Sequence, residues 1–285
     1  MPGSYSSSQK SKRRKAKVIP GFGLSMGITV TMLSLIVLIP LGSVILTFSD
    51  TTPAEVWRVI TDKQTVSTYR VSVTCALIAA SVNMVFGILL AWVLTRYRFP
   101  LRRVLDGLIE LPFALPTAVA GIALTTLYSD QGFLGRLFAR IGVKISYTTT
   151  GITIAMVFIG IPFVVRSIQP VLEKLDPQYE EAAFVLGASP VRTFFQVVFP
   201  EILPVALTGF GLAFARAIGE YGSVVFIAGN IPYRTQITPL IIMNKLEQFN
   251  YPAATSIALV MVVFAFLILF GIHLLGARIR KIAQG

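Results

Sequence analysis

Charge is scarce in this chain: of its 285 residues only 13% are Asp, Glu, Lys or Arg, about half the share of a soluble domain. That excludes a water-solvated globule. Cysteine is nearly absent as well. The single Cys75 rules out an internal disulfide, and its neighbours Val73, Thr74, Ala76 and Leu77 make it a small packing residue rather than a nucleophile or ligand. The single histidine, His273, has no His, Cys or carboxylate at metal-ligand spacing, so packing is expected there too. There is no Gly-x-x-x-x-Gly-Lys-Ser/Thr phosphate loop, so the chain should not bind ATP itself, and no cofactor or metal is expected in it. The formal charge of +12 comes without aromatic-basic interleaving, which excludes a nucleic-acid stripe.

What is present in excess is apolar residues, 54% of the chain, gathered into runs long enough to cross a bilayer. We read an all-α integral membrane protein with spans at about 20–48, 67–95, 106–128, 149–169, 201–228 and 253–276, forming one transmembrane domain over 20–285. Residues 1–19, Ser-rich and basic, are too polar to pack and read as a disordered cytoplasmic tail. The first span is too long for a signal-peptide core. Six crossings would put both termini and the loops after spans two and four on one side. The cations decide which side: six in the tail, four at Arg96, Arg98, Arg102 and Arg103, three at Arg166, Lys174 and Arg192, and three at Arg278, Arg280 and Lys281, against eight opposite. The positive-inside rule then gives N-in, C-in. The outer segments 129–147 and 229–252 carry amphipathic stretches such as Phe133, Leu134, Leu137 and Phe138, and short surface helices are expected there.

Between spans four and five lies a polar island, about 175–204. Asp176 is placed to cap a helix beginning at Pro177, Glu180 and Glu181 suit its positive end, and Gly187 can take the left-handed residue that stops it. Ser189-Pro190 repeats the cap-then-proline start, so a second helix is expected from Pro190 until Pro200 interrupts it. On the first helix Tyr179, Ala182, Ala183 and Leu186 fall on one face. Two adjacent alanines there let another surface approach closely, and Glu181 beside them offers a charge. An ordinary amphipathic hairpin between two membrane helices is the bland alternative.

Charges inside an apolar span need a partner or a purpose. In span five Arg216 and Glu220 stand one turn apart and can pair, while Gly219 and Gly222 permit close helix approach. The functional reading is a pathway lining in which Arg216 attracts an anion while Glu220 holds the arginine's orientation; the alternative is an ion pair holding span five to a neighbour. In span three, Pro112 and Pro116 should kink or break the helix. Glu110 could satisfy an amide freed there, and Asp106 is expected to be solvated at the interface.

The run Glu181-Ala182-Ala183, Gly187, then Val197-x-Phe199-Pro200 resembles the EAA loop of ATP-binding cassette (ABC) importer permeases. Val197 and Phe199 replace the family's Ile and Leu and stay apolar. Further on, Arg216-Ala-Ile-Gly-Glu220-Tyr-Gly-Ser223 and the stretch Phe226–Leu240 resemble the sulfate/molybdate permease group, and Met243–Tyr251 is similar to the T-type subunit of sulfate/thiosulfate importers. The resemblance implies a type I importer permease fold in a prokaryotic inner membrane. It also implies a cytoplasmic coupling helix (Glu180, Glu181, Ala182, Ala183, Leu186 and Gly187) and a pathway at Arg216, Glu220 and Ser223. The implied partners are a homologous W-type permease, two copies of a cytosolic ATPase that binds ATP and Mg, and an extracytoplasmic sulfate-binding protein. A homodimeric molybdate or tungstate permease is the alternative; a secondary anion transporter or channel would leave the Glu-Ala-Ala hairpin unexplained.

Overall fold

The computed structural model describes residues 22–39, 42, 46 and 51–283, and the chain divides into two units, residues 1–49 and 50–285. In the first unit the described part is helix α1, Phe22–Leu33, continued by a wide turn over Ser34–Leu38. The expected tail 1–19 and the rest of the first span lie outside the described residues.

Among the described residues of the second unit all the regular elements are helices. In chain order it contains α2 (Pro53–Ile60), α3 (Lys63–Arg96), α4 (Arg102–Ala114), α5 (Thr117–Tyr128), α6 (Phe133–Ala139) and α7 (Thr149–Lys174). These are followed by α8 (Gln178–Val185), α9 (Pro190–Ile218), α10 (Val224–Ala228), α11 (Thr238–Glu247) and α12 (Tyr251–Ala283). Four of them, α3, α7, α9 and α12, are long and apolar enough to cross a membrane. The pair α4–α5 forms a fifth apolar unit bent by 113°. Pro116 causes that break: it has no amide hydrogen, and its ring turns Leu115 to extended backbone.

α3, α7 and α9 form the core, and small residues let them meet. Ala76, Ala79, Ala80 and Ala91 of α3, Ala155 of α7, and Ala206, Ala213 and Ala217 of α9 are all buried. Lipid supplies no hydrophobic drive between helices, so close packing of short side chains supplies the attraction instead. α12 leaves most of its apolar side chains exposed, Val262, Phe266, Leu267 and Phe270 among them, as a face turned to hydrocarbon requires.

Two helix boundaries differ from the sequence expectation. Pro200 does not interrupt the helix that begins at Pro190. A wide turn over Phe194–Val198 precedes it, and the Phe199 amide reaches back five residues to the Phe194 carbonyl. The widened turn makes room for the proline ring. The expected span 201–228 is also not one helix. α9 ends at Ile218, the chain turns through Gly219–Ser223, and α10 follows. The short helices expected in the outer segments are present as α6 and α11.

Candidate functional site

The hairpin after α7 is built by its local chemistry. Asp176 accepts the Gln178 amide (3.0 Å) and the first turn of α8 forms on it. At the other end the Ala188 amide donates to the Ala183 carbonyl (3.0 Å) and the Gly187 amide to the Phe184 carbonyl (2.9 Å). This paired closure needs a left-handed residue, which Gly187 supplies at φ +83. Ser189 then accepts the Arg192 amide (3.3 Å) and starts α9.

The result is a projecting apolar knob: Phe184, Val185 and Leu186 are 71%, 84% and 87% exposed. Tyr179, Glu181 and Ala182 are exposed with them, while Ala183 is half-buried. Glu180 behaves differently from its neighbours. Its carboxylate turns back to Arg96 in the last turn of α3, at 2.7 Å. Arg96 also donates to the Leu175 carbonyl (3.2 Å) and lies over the Trp92 ring, 5.8 Å from its centre. Sequence reasoning grouped Glu180 with the docking residues; the geometry instead makes it the tie between α8 and α3. Nothing in the sequence signals that pairing, since the two residues are 84 positions apart.

A second cluster sits at the α9 break. Arg216 on the last turn of α9 pairs with Glu220, which is 2% exposed, and the other Glu220 oxygen accepts the Ser223 amide (2.8 Å). The expected ion pair is therefore present, but Glu220 lies past the helix end and reaches back, so its carboxylate also closes the turn. Gly222 has a packing reason: a Cβ there would overlap the Thr117 hydroxyl, and one at Gly121 would overlap the Ser223 backbone. The α9 break thus packs directly on the start of α5, where the bent pair resumes. Ser223 is fully buried and its hydroxyl has no partner among the described residues.

Arg166 is the residue that sequence reasoning missed. Counted there with the loop cations, it lies inside α7 and is clamped by Asp106 (2.8 Å), Glu110 (2.7 Å) and Gln169 (2.5 Å). Gln169 also donates to Asp106 (3.3 Å). Glu110 therefore does not serve a freed amide, and Asp106 is not merely solvated: both hold α4 against α7. The available signal was a lone cation within an apolar run, matched by two carboxylates one turn apart in another. His273 is exposed and lines an apolar groove with Pro204, Leu207 and Ile272. Among the described residues no group of three or more His, Cys, Asp or Glu is placed to hold a metal ion.

A family model described as "binding-protein-dependent transport system inner membrane component" matches residues 83–281. The chain is similar to the sulfate transport system permease protein CysT of Salmonella typhimurium, 48% identical over 94% of this chain and 97% of that one. It is also similar to the protein of that name from Synechocystis, 45% identical over 90% of each chain. Among solved structures it resembles a bacterial alginate ABC transporter in complex with an alginate pentasaccharide-bound periplasmic protein (TM-score 0.76, 17% identity, 90% of this chain and 94% of that one). It also resembles an inward-facing methionine ABC transporter (TM-score 0.61, 14% identity, 80% and 99%). At those identities the structural likeness shows the fold.

Proposed function

The chain belongs to the family of binding-protein-dependent transport system inner membrane components, and from that premise we propose that it is the permease subunit of an ATP-driven importer that carries sulfate across the membrane by alternating access. The observation that carries this reading is the near full-length likeness to sulfate permeases, 48% identical over 269 residues. A permease of this kind is a non-catalytic component: it gains direction only because its partners bind its two states unequally.

In this reading the protein crosses the bilayer six times with both termini in the cytoplasm, α1 opening the first crossing and α4–α5 forming a broken one. α8 is the coupling helix. Its apolar tip, Phe184, Val185 and Leu186, seats in a groove of a cytosolic ATPase, with Ala182 giving close approach and Glu181 a charge. ATP and Mg belong to that ATPase, present in two copies. Closure of the ATPase pair draws the coupling helices together, and the Arg96–Glu180 pair passes that movement to α3. A homologous W-type permease completes the pathway, and an extracytoplasmic binding protein delivers the anion. Arg216, Glu220 and Ser223 stand at the two helix breaks and line the pathway there.

The test is to purify the assembled complex through this chain, identify the partner chains and measure sulfate uptake into vesicles. Two permease types, an ATPase and ATP-dependent sulfate uptake are expected. A single permease type with uptake of molybdate would assign the homodimeric alternative. Uptake that persists without the ATPase would mean a secondary transporter or channel.

A further inference from the structure

At the Lys63 end of α3, facing the first turn of α7 and the loop at Tyr233, a cavity of about 540 Å³ takes no part in any of the pairs above. Its walls include Ser67, Arg70, Thr74, Thr150, Thr153 and Tyr233, and among the described residues no carboxylate lines it. With a water occupying about 30 Å³ in the liquid, the space holds a small ion with several of its waters.

Arg70 is the unusual member. Arg96, Arg166 and Arg216 each face a carboxylate within the chain. Arg70 is exposed, and its guanidinium has no such partner among the described residues. It stands seven residues into the 34-residue α3, roughly 10 Å from its start, in the end of the helix that exceeds a hydrocarbon core of about 30 Å. Exposed and without a carboxylate there, its charge is open to an anion in the cavity.

The rest of the wall fits an anion too. Thr150 is the second residue of the 26-residue α7, so the cavity meets the end of a helix whose unpaired amides and dipole favour negative charge. Thr74 and Thr153 give their hydroxyl hydrogens to the Arg70 and Thr149 carbonyls, whereas the hydroxyls of Ser67, Thr150 and Tyr233, which line the cavity, have no partner among the described residues. The Tyr233 loop is fixed rather than loose. Thr235, 4% exposed, donates to the Ala228 carbonyl (2.6 Å), Gln236 donates to Asn230 (2.9 Å), and Gln64 of α3 donates to Gln236 (2.7 Å).

We propose that this cavity is a seat for a tetrahedral oxyanion, with Arg70 supplying the charge and Thr150, Tyr233 and the first turn of α7 supplying the donors. It rests on the sulfate-permease reading for its occupant, which is the transported anion held on the face opposite the coupling helix. Arg216 is poorly suited to that role alone, because the buried Glu220 already cancels its charge. The same chemistry would accept a lipid phosphate, so the test must separate the two sources.

Thr74 spends its hydroxyl on its own helix, so a cysteine there reports on the cavity without removing a donor. In the assembled complex carrying Cys75→Ala and Thr74→Cys, the rate of modification by an uncharged maleimide is followed against sulfate concentration, in phosphatidylcholine and in phosphatidylglycerol vesicles. Sulfate is expected to slow modification equally in both lipids. Adding Arg70→Gln removes a charged hydrogen-bond donor, and the protecting concentration should rise about tenfold or more; Arg70→Lys should fall between. Modification that sulfate never slows would overturn the site. Slowing by phosphatidylglycerol without sulfate would overturn the transported anion as occupant and assign a lipid headgroup. Sulfate uptake by the unmodified complex keeps the outcomes apart: uptake without protection removes the seat and leaves the transport function standing.

Discussion

Glu180 on the short helix α8 and Arg96 at the end of α3 face each other at 2.7 Å, with side chains only 23% and 17% exposed. A pair so placed is partly shielded from water, and the Leu175 carbonyl and Trp92 ring hold the guanidinium from two other directions. Its contribution to stability is about 1 kcal/mol. Its mechanical role is larger, because among the described residues it is the ion pair that joins the hairpin to the core. Arg96→Gln and Glu180→Gln are each expected to leave assembly intact while lowering sulfate carried per ATP hydrolysed. The exchange Arg96→Glu with Glu180→Arg should recover part of that ratio. Equal loss of ATP hydrolysis and transport in both single variants would show that the pair only holds the fold.

The apolar tip of α8 predicts a different phenotype. Gly187 sits at φ +83 with open space around it, so Gly187→Leu costs about 1–2 kcal/mol of backbone strain without a clash. Ala182→Asp adds a charge to the exposed face. Both variants should insert normally and lose ATPase binding in pull-down experiments. Retention of the ATPase and of transport by both would remove the docking role from α8.

Topology is tested by single cysteines in a Cys75→Ala background. Ser189 is exposed at the hairpin and Lys144 is exposed beyond the other end of α7. Ser146 is unsuitable because it is 1% exposed. A cysteine at Ser189 should react from the cytoplasm and one at Lys144 from outside. Reaction of both from one side would mean that α7 does not cross.

How much of this was readable from residues alone follows from the range of the forces involved. The hairpin was legible almost to the residue, because Asp176, Gly187, Ser189 and Pro190 act on their own neighbours within a few positions. Apolar runs gave α3, α7 and α12 for the same reason. The α9 break was not legible, since its cause lies elsewhere in the chain: the Gly219–Ser223 turn packs against Thr117 and Gly121, and Glu220 closes it by bonding the Ser223 amide. Pro200 misled because the wide turn that accommodates it leaves no local signature. The Arg96–Glu180 pair was invisible for want of any rule joining residues so far apart in sequence, whereas Arg166 left a trace, a lone cation in one apolar run and the carboxylates of Asp106 and Glu110 one turn apart in another.

Arg216 and Glu220 carry the sharpest prediction, and the geometry changes the experiment that addresses them. On sequence grounds a charge exchange would restore a purely structural pair, since both residues would share one helix face. Glu220 instead lies past the helix end, 2% exposed, with one oxygen on Arg216 and the other accepting the Ser223 amide. An arginine at 220 has no acceptor to offer that amide, so the exchange should fail whichever role the pair has. Glu220→Gln separates the roles better, because its carbonyl can still accept from Ser223 while the charge is lost. Removing a buried ionic partner outright costs about 3–5 kcal/mol, and Arg216, one-third exposed, recovers part of this by solvation. Glu220→Ala should therefore lower the thermal midpoint of the purified complex clearly, and Glu220→Gln much less. If Arg216 faces the anion, freeing its charge in Glu220→Gln should hold sulfate longer and slow its release, so turnover falls while the protein stays assembled. Normal turnover in a stable Glu220→Gln complex would leave the pair as the fastener of the α9 break and take it off the pathway.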